Sequence, residues 1–490
     1  MDIKNLEPKD VFQNFYELTQ IPRESGNEKE VSDFLVNFAK ERGLEVVQDE
    51  ALNVIIRKEA SKGYEDRPIV ALQGHMDMVC VKEDDSDHDF EKDPIKLLVE
   101  DGWLTADGTT LGADDGIGVA FIMGILDDDS LEHGPIEAVI TTAEETSMVG
   151  ANALDLSQLK ADYLINIDSE EEGVLTIGCA GGLDLEVEFD KEYEKSEGDF
   201  VEISLQGFEG GHSGMEIDKF RCNAIKSLAR MLHNIEGVQI AEITGGVKRN
   251  AIPTTASATV SVANKEEAIK TLEERKAEIL NEYKDSDPKG TITIKEASFD
   301  KDVVSKKVSK DVIDALFALP DGLYKKYKDN IVTSSNLGLL ENKEDTIKFN
   351  TMIRSEVDSA KLNRAEIAIE IVKRFGGKYE VVSQYSGWQR EETPLIDLAN
   401  ETWKDINGND LIVATTHGGL ECGLFKKEIP HVEMISFGPE IEGAHSPMVE
   451  GLFLRSANVS YALKSTRERS LKHLYLKMSE VSCLPKCPRV

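Results

Sequence analysis

Four short apolar runs in this chain each lead into a histidine or a carboxylate, and this restricts the fold more than any other feature. PIVALQ runs into Gly74-His75-Met76-Asp77, IEAVITTA into Glu144-Glu145 and ADYLINI into Asp168; HVEMISF is followed, after GPEIEGA, by His445. Runs of this length read as buried strands. Helical patterns accompany them: one stretch starts at Asn5 and continues through FQNFYELTQ, a second is EKEVSDFLVNFAKERG with its glycine stop, and a third, GIGVAFIMGILDDD, follows Asp115. Strands alternating with helices predict an α/β fold with a mostly parallel sheet covered on both faces. In such sheets ligands collect beyond the carboxyl ends of the strands. The four segments, together with Asp114-Asp115 in the turn LGADDGIG, are therefore expected to meet at one edge.

At 490 residues the chain is too long for one hydrophobic core. Its texture changes near Leu183, where amphipathic strand patterns such as DLEVEF, FVEISLQG and TTASATVSVAN take over, with helices in NAIKSLARMLHNI and EEAIKTLEERKAEILNEY. The expected division is a catalytic domain in two parts, 1–185 and 385–490, interrupted by an inserted α+β domain at 186–384. A formal charge of −36 argues against nucleic acid or an anionic membrane as partner. No apolar run approaches a membrane span, and MDIKNLEPKD lacks the features of a secretory signal. Six scattered cysteines make no disulfide framework, so a reducing cytoplasm is expected.

Two histidines and several carboxylates at one edge are the ligand types for Zn²⁺, Mn²⁺ or Co²⁺ rather than for Ca²⁺ or a structural cysteine site. Taken singly the pieces are weak. An H-x-D match is common, adjacent glutamates usually face solvent, and an Asp pair before a helix can be an N-cap. Their joint placement at strand ends and helix starts is what carries the reading. No activated serine or cysteine competes with it; Cys422 reads as a buried structural residue. His88, His133, His233 and His431 suggest no partner.

GHMDMV, TLGADDGIG, TTAEET, NIDSEE, GGHSG, KRNAIP, GGLECG and GAHSP follow one another in this order. Together they resemble the aminoacyl-histidine dipeptidases, or cytosolic Xaa-His dipeptidases, of the di-zinc exopeptidase clan. The resemblance extends to about Pro447. It implies two divalent metal ions, Zn²⁺ with Mn²⁺ or Co²⁺ as alternatives. His75 and Asp168 would hold one, Glu145 and His445 the other, and Asp114 would bridge them. It further implies that Asp77 orients His75, that Glu144 is the general base, and that Asp115 is not a ligand. The inserted domain would act as a lid and dimerisation domain, with His212 stabilising an oxyanion, often across a homodimer. Arg249, Asn250 and Asn336 resemble substrate-contacting positions; Arg354 would pair with the terminal carboxylate of a small peptide and Glu421 would face its free α-amino group. The activity implied is hydrolysis of unblocked dipeptides, Xaa-His favoured. The alternatives are an N-acyl amino acid deacylase or tripeptide aminopeptidase of the same clan, or a catalytically impaired metal-binding homologue.

The resemblance stops where the family continues HSP with Asp-Glu. From Pro447 onward, 8 Lys/Arg oppose 3 Asp/Glu, whereas the preceding residues hold 48 against 89. The tail is expected to depart from the ancestral pattern, through a reading-frame change or as a divergent helix in LFLRSANVSYALK.

Overall fold

In the computed structural model, which describes residues 3, 6–100, 102–146, 148–446 and 451–453, the four apolar runs form neighbouring strands. Their spatial order is Ile136–Thr141, Val70–His75, Tyr163–Asn166 and Glu433–Ser436, and all three pairings are parallel. The register matches His75 to Thr141, Gln73 to Asn166, and Asn166 to Ser436. The carboxyl ends consequently align at one level. Antiparallel strands flank this centre, with Val54–Lys58 beside Ile136–Thr141 and Val174–Cys179 beside Glu433–Ser436; Glu45–Gln48 and Ile412–Thr416 complete an eight-stranded sheet.

The parallel strands are apolar because both faces are covered. Phe15 and Leu18 of helix Lys9–Thr19, Leu35 of helix Lys29–Glu41, and Ile117 and Ile122 of helix Ala113–Asp127 join Leu72, Ile140, Ile165 and Ile435 in one core. The first helix begins later than its sequence pattern suggests. Pro8 caps it in an extended conformation, while Asn5 lies outside the described residues. The third begins earlier, at Ala113, although Asp114 and Asp115 keep non-helical backbone angles and their peptide bond is cis.

The chain divides into two units. One contains the residues up to Gly178, Arg390–Thr415 and the chain from Leu420; the other contains Cys179–Gln389 and Thr416–Gly419. The second unit is built on a nine-stranded sheet whose pairings are antiparallel. Alternation along Asp199–Gln206 buries Val201, Ile203 and Leu205, as a sheet with one covered face requires. Helix Ala224–Leu232 starts at Asn223, whose side chain accepts hydrogen bonds from the Ile225 and Lys226 N–H groups, and Asn264 caps Lys265–Glu282 likewise. Two long strands, Asn330–Asn342 and Thr346–Ser355, form a hairpin that the sequence patterns did not reveal.

The departure after Pro447 falls mostly outside the described residues. Gly451–Phe453 is a strand paired with Trp103–Ala106, so the helix expected in LFLRSANVSYALK does not include its first two residues; the rest of that segment lies outside the described residues. Backbone pairing with an existing strand decides the conformation there.

Candidate metal centre

The first unit gathers all five expected ligands into two groups that share one residue: His75, Asp114 and Asp168, and Asp114, Glu145 and His445. His75 Nε2 lies 3.1 Å from Asp114 Oδ1 and 3.4 Å from Asp168 Oδ1. His445 Nε2 lies 3.0 Å from Glu145 Oε1 and 3.4 Å from Asp114 Oδ2. Asp114 thus gives one oxygen to each group. Two ligands bound at about 2.0–2.1 Å to a tetrahedral ion sit roughly 3.3 Å apart. The observed spacings fit a divalent ion in each group, and the nitrogen and carboxylate donor set suits a transition metal.

The charges reinforce one another. Burial opposes ionisation of Asp114, yet hydrogen bonds from His445 and His75 hold its carboxyl well below the usual range. Hydrogen bonds to Asp114 and Glu145 push His445 up to about 11. Burial pushes the Asp168 carboxyl up to about 7. His75 is buried, which by itself would lower its pKa; Asp168, Asp114 and Asp77 outweigh that and raise it.

Asp77 ties this cluster to the glutamate pair. Its Oδ1 lies 3.3 Å from His75 Nδ1 and accepts the Glu144 N–H at 3.1 Å, while Oδ2 accepts the Glu145 N–H at 3.3 Å and the Ser25 hydroxyl at 2.7 Å. One buried carboxylate therefore orients the imidazole and anchors the Glu144-Glu145 turn. Burial, with Asp168, Glu145 and Glu421 nearby, raises the Glu144 carboxyl well above an ordinary glutamate. Asp115 acts on the backbone: its Oδ2 accepts the His75 N–H at 3.2 Å. Gly74 permits this approach, because a Cβ there would lie only 2.2 Å from that oxygen.

Glu421 is fully buried in the same unit. Thr141 donates to its Oε2 at 2.6 Å and Gln73 Nε2 donates to the same oxygen; burial pushes the carboxyl up to about 8.

His212, Arg249, Asn250, Asn336 and Arg354 all belong to the second unit. His212 lies in a two-residue strand paired with Ala251–Ile252, and its Nδ1 accepts the Met215 N–H at 3.1 Å. Arg249 Nη1 is ion-paired to Asp184 at 2.6 Å. The Asn250 carbonyl accepts the Ser213 N–H, and Asn336 Nδ2 donates to the Ala251 carbonyl. Arg354 is buried; its Nη1 donates to the Tyr385 hydroxyl at 3.3 Å and its Nε makes no hydrogen bond among the described residues. Two of the other histidines have local partners: His133 Nδ1 meets the Gly134 carbonyl and His233 pairs with Asp314.

Several supporting residues escaped the sequence reading. Arg23 is buried and donates to the carbonyls of Met76, Asp77 and Gly112, joining the two ligand-bearing loops. Ser25, Gln73 and Thr141 act on Asp77 and Glu421. The polar residue inside an otherwise apolar strand, as in VALQGH, was the available signal.

Residues 71–451 match the sequence pattern of the peptidase family M20/M25/M40. The chain belongs to that family. It is a hydrolase of the metallopeptidase type. It is 38% identical over 457 residues, 91% of this chain and 94% of the relative, to the cytosol non-specific dipeptidase of Escherichia coli. Among solved structures it is similar to the aminoacylhistidine dipeptidase of Vibrio alginolyticus, at TM-score 0.84 and 32% identity, covering 99% of each chain. A Staphylococcus aureus tripeptidase shares the fold at TM-score 0.55 and 17% identity, over 96% of this chain and 98% of that one. The resemblance to aminoacyl-histidine dipeptidases is borne out.

Proposed function

We propose that this metallopeptidase hydrolyses unblocked dipeptides, with Xaa-His peptides favoured. The observation that carries the mechanism is Asp114, whose two oxygens serve two adjacent ligand groups beside the glutamate pair anchored by Asp77. His75 and Asp168 would hold one ion, Glu145 and His445 the other, and Asp114 both; zinc suits the set, and Mn²⁺ or Co²⁺ would be accepted by the same donors. Such ions supply Lewis acidity, polarising a carbonyl and lowering the pKa of water.

The chain supplies the rest. Glu144, half-buried and with a raised proton affinity, takes the proton from the attacking water and delivers it to the leaving amine. Asp77 keeps the His75 ring in place through Nδ1, leaving Nε2 for the ion. Arg354, buried with guanidinium capacity to spare, would pair with the peptide carboxylate. Glu421, held through Oε2, offers Oε1 to the free α-ammonium. His212 would stabilise the oxyanion. Arg249, Asn250 and Asn336 would contact substrate; Asp184 engages only part of the Arg249 guanidinium.

The protein would act in the cytoplasm, a reading supported by the named E. coli relative and by the finding that no helix among the described residues is long and apolar enough to cross a membrane. A homodimer through the second unit completes the reading. The edge strand Lys378–Gln384 supports it, being exposed over most of its length with Tyr379, Val381 and Val382 outward.

The deciding experiment is hydrolysis of matched free and N-acetylated Xaa-His dipeptides by metal-stripped protein reloaded with Zn²⁺ or Mn²⁺. Metal-dependent cleavage of the free peptide alone is expected. Cleavage of the blocked peptide would make the protein a deacylase, and preference for tripeptides an aminopeptidase. Two bound ions without turnover would identify an impaired homologue.

A further inference from the structure

A row of buried polar side chains crosses the parallel sheet one layer beneath the candidate metal ligands. Ser436 donates to Asn166 Oδ1, Asn166 Nδ2 donates to Gln73 Oε1 at 2.6 Å, and Gln73 Nε2 donates to Glu421 Oε2, which also receives the Thr141 hydroxyl at 2.6 Å. The strand register produces this row: Gln73 lies level with Asn166, and Asn166 with Ser436, on adjacent parallel strands. Gln73, Thr141, Asn166, Glu421 and Ser436 are all fully shielded from solvent.

Buried polar groups cost stability unless paired, and the interior of a covered parallel sheet is ordinarily aliphatic. Along the row each side chain hydrogen-bonds the next, and the last link falls on a carboxylate; Asn166 Oδ1 also accepts the Asp168 N–H at 3.3 Å, and the Ser436 hydroxyl also meets that of Ser169 at 2.6 Å. Two donors converge on Glu421 Oε2, while its Oε1 is buried and makes no hydrogen bond among the described residues. A carboxylate held by one oxygen cannot rotate without breaking both anchors. Its second oxygen is therefore held in one direction.

We propose that Gln73, Asn166 and Ser436 are positioning residues for amino-terminal specificity: the row locks Glu421 so that its free oxygen meets a primary ammonium group on the substrate. This rests on the reading of Glu421 as the α-amino contact. Gln73 is the link that matters most, because it joins the row to the carboxylate. Its two amide contacts are Asn166 and Glu421.

The test uses the metal-loaded, full-length enzyme and a free Xaa-His dipeptide beside its N-acetyl counterpart. Gln73→Met keeps the volume and removes both hydrogen bonds. It should raise KM for the free dipeptide about tenfold, the scale of one hydrogen bond to a charged group, with kcat within a factor of about three and bound metal unchanged. Added to Glu421→Gln, it should raise KM no further, since both changes act through one carboxylate. Ser436→Ala, at the far end, should give a smaller KM increase and serves if Gln73→Met does not fold. An unchanged KM, a loss confined to kcat and metal content, or independent multiplication of the two effects would overturn the proposal. If the wild-type enzyme fails to discriminate free from acetylated peptide, the assignment of Glu421 falls and the row loses its role with it. If the wild type discriminates and Gln73→Met does too, with the same KM, only the row is refuted.

Discussion

Asp77 and His75 face each other at 3.3 Å through Oδ1 and Nδ1, on the side of the imidazole away from the Nε2 that meets Asp114. The same carboxylate accepts the backbone N–H groups of Glu144 and Glu145. Ring orientation and the placement of the glutamate pair thus depend on one side chain. Asp77→Asn would present an amide donor where at least one of these donors needs an acceptor. Metal affinity should fall about 10–100-fold, the usual effect of losing a partner behind a metal-bound histidine, as read by competition with a chelator.

Glu144→Gln tests the division of labour between the adjacent glutamates. Glu145 approaches His445 at 3.0 Å, whereas Glu144 is in neither ligand group among the described residues. Turnover should fall by about 10²–10⁴-fold while two ions remain bound. Loss of metal together with activity would reverse the two roles.

His445→Ala should separate the two ligand groups. It removes a donor from the group with Glu145 and leaves His75, Asp114 and Asp168 intact. Elemental analysis at moderate metal concentration should then find one ion where the parent holds two. Asp114→Ala should weaken both, because each group uses one of its oxygens.

Gly74→Ala tests the close approach beneath His75. The added methyl would meet Asp115 Oδ2, the acceptor of the His75 N–H. The carboxylate must move, so stability should drop by about 1–3 kcal/mol, as for other overpacked cores. Metal affinity should drop with it. A fully stable variant with normal metal binding would show that Asp115 can yield freely.

His417 carries a pH dependence in the second unit. Burial, with Arg354 and His212 nearby, lowers its pKa from 6.5 to about 3, and its Nε2 pairs with the Ser334 hydroxyl at 2.8 Å. The unfolded chain binds a proton between these values and the folded chain does not, so stability rises with pH across that window. The contribution is complete above pH 6.5 and is lost as pH falls toward about 3. The slope approaches about 1.4 kcal/mol per pH unit. Urea midpoints measured from pH 4 to 7 should fall steeply on the acid side, and His417→Gln should flatten that limb.

Much of this site was legible because short-range patterns carried it. The apolar runs ending in His75, Glu144 and Asp168 became adjacent parallel strands, since only burial on both faces accommodates such runs. The start of the first helix was misplaced because the cap at Pro8 competes with a periodicity that extends past it. The long hairpin Asn330–Ser355 was missed, its polar and small residues giving little alternation to read. Arg23 was invisible for another reason. An arginine beside a helix end is ordinary until distant carbonyls are seen to converge on it.

By itself the sequence determined which residue types could act as ligands, base and supporting acid, and the order in which strands would deliver them. Local periodicity and chemical identity suffice for that. The tertiary structure alone decided that Asp114 divides its oxygens between two histidines, that Asp77 joins His75 to the glutamate turn, and that Gln73, Asn166 and Ser436 stand level. Those relationships depend on strand register and on close approach between segments far apart in the chain. No local pattern encodes a register; it is set when many apolar side chains pack at once, because a shift by one residue would turn every buried side chain to the opposite face.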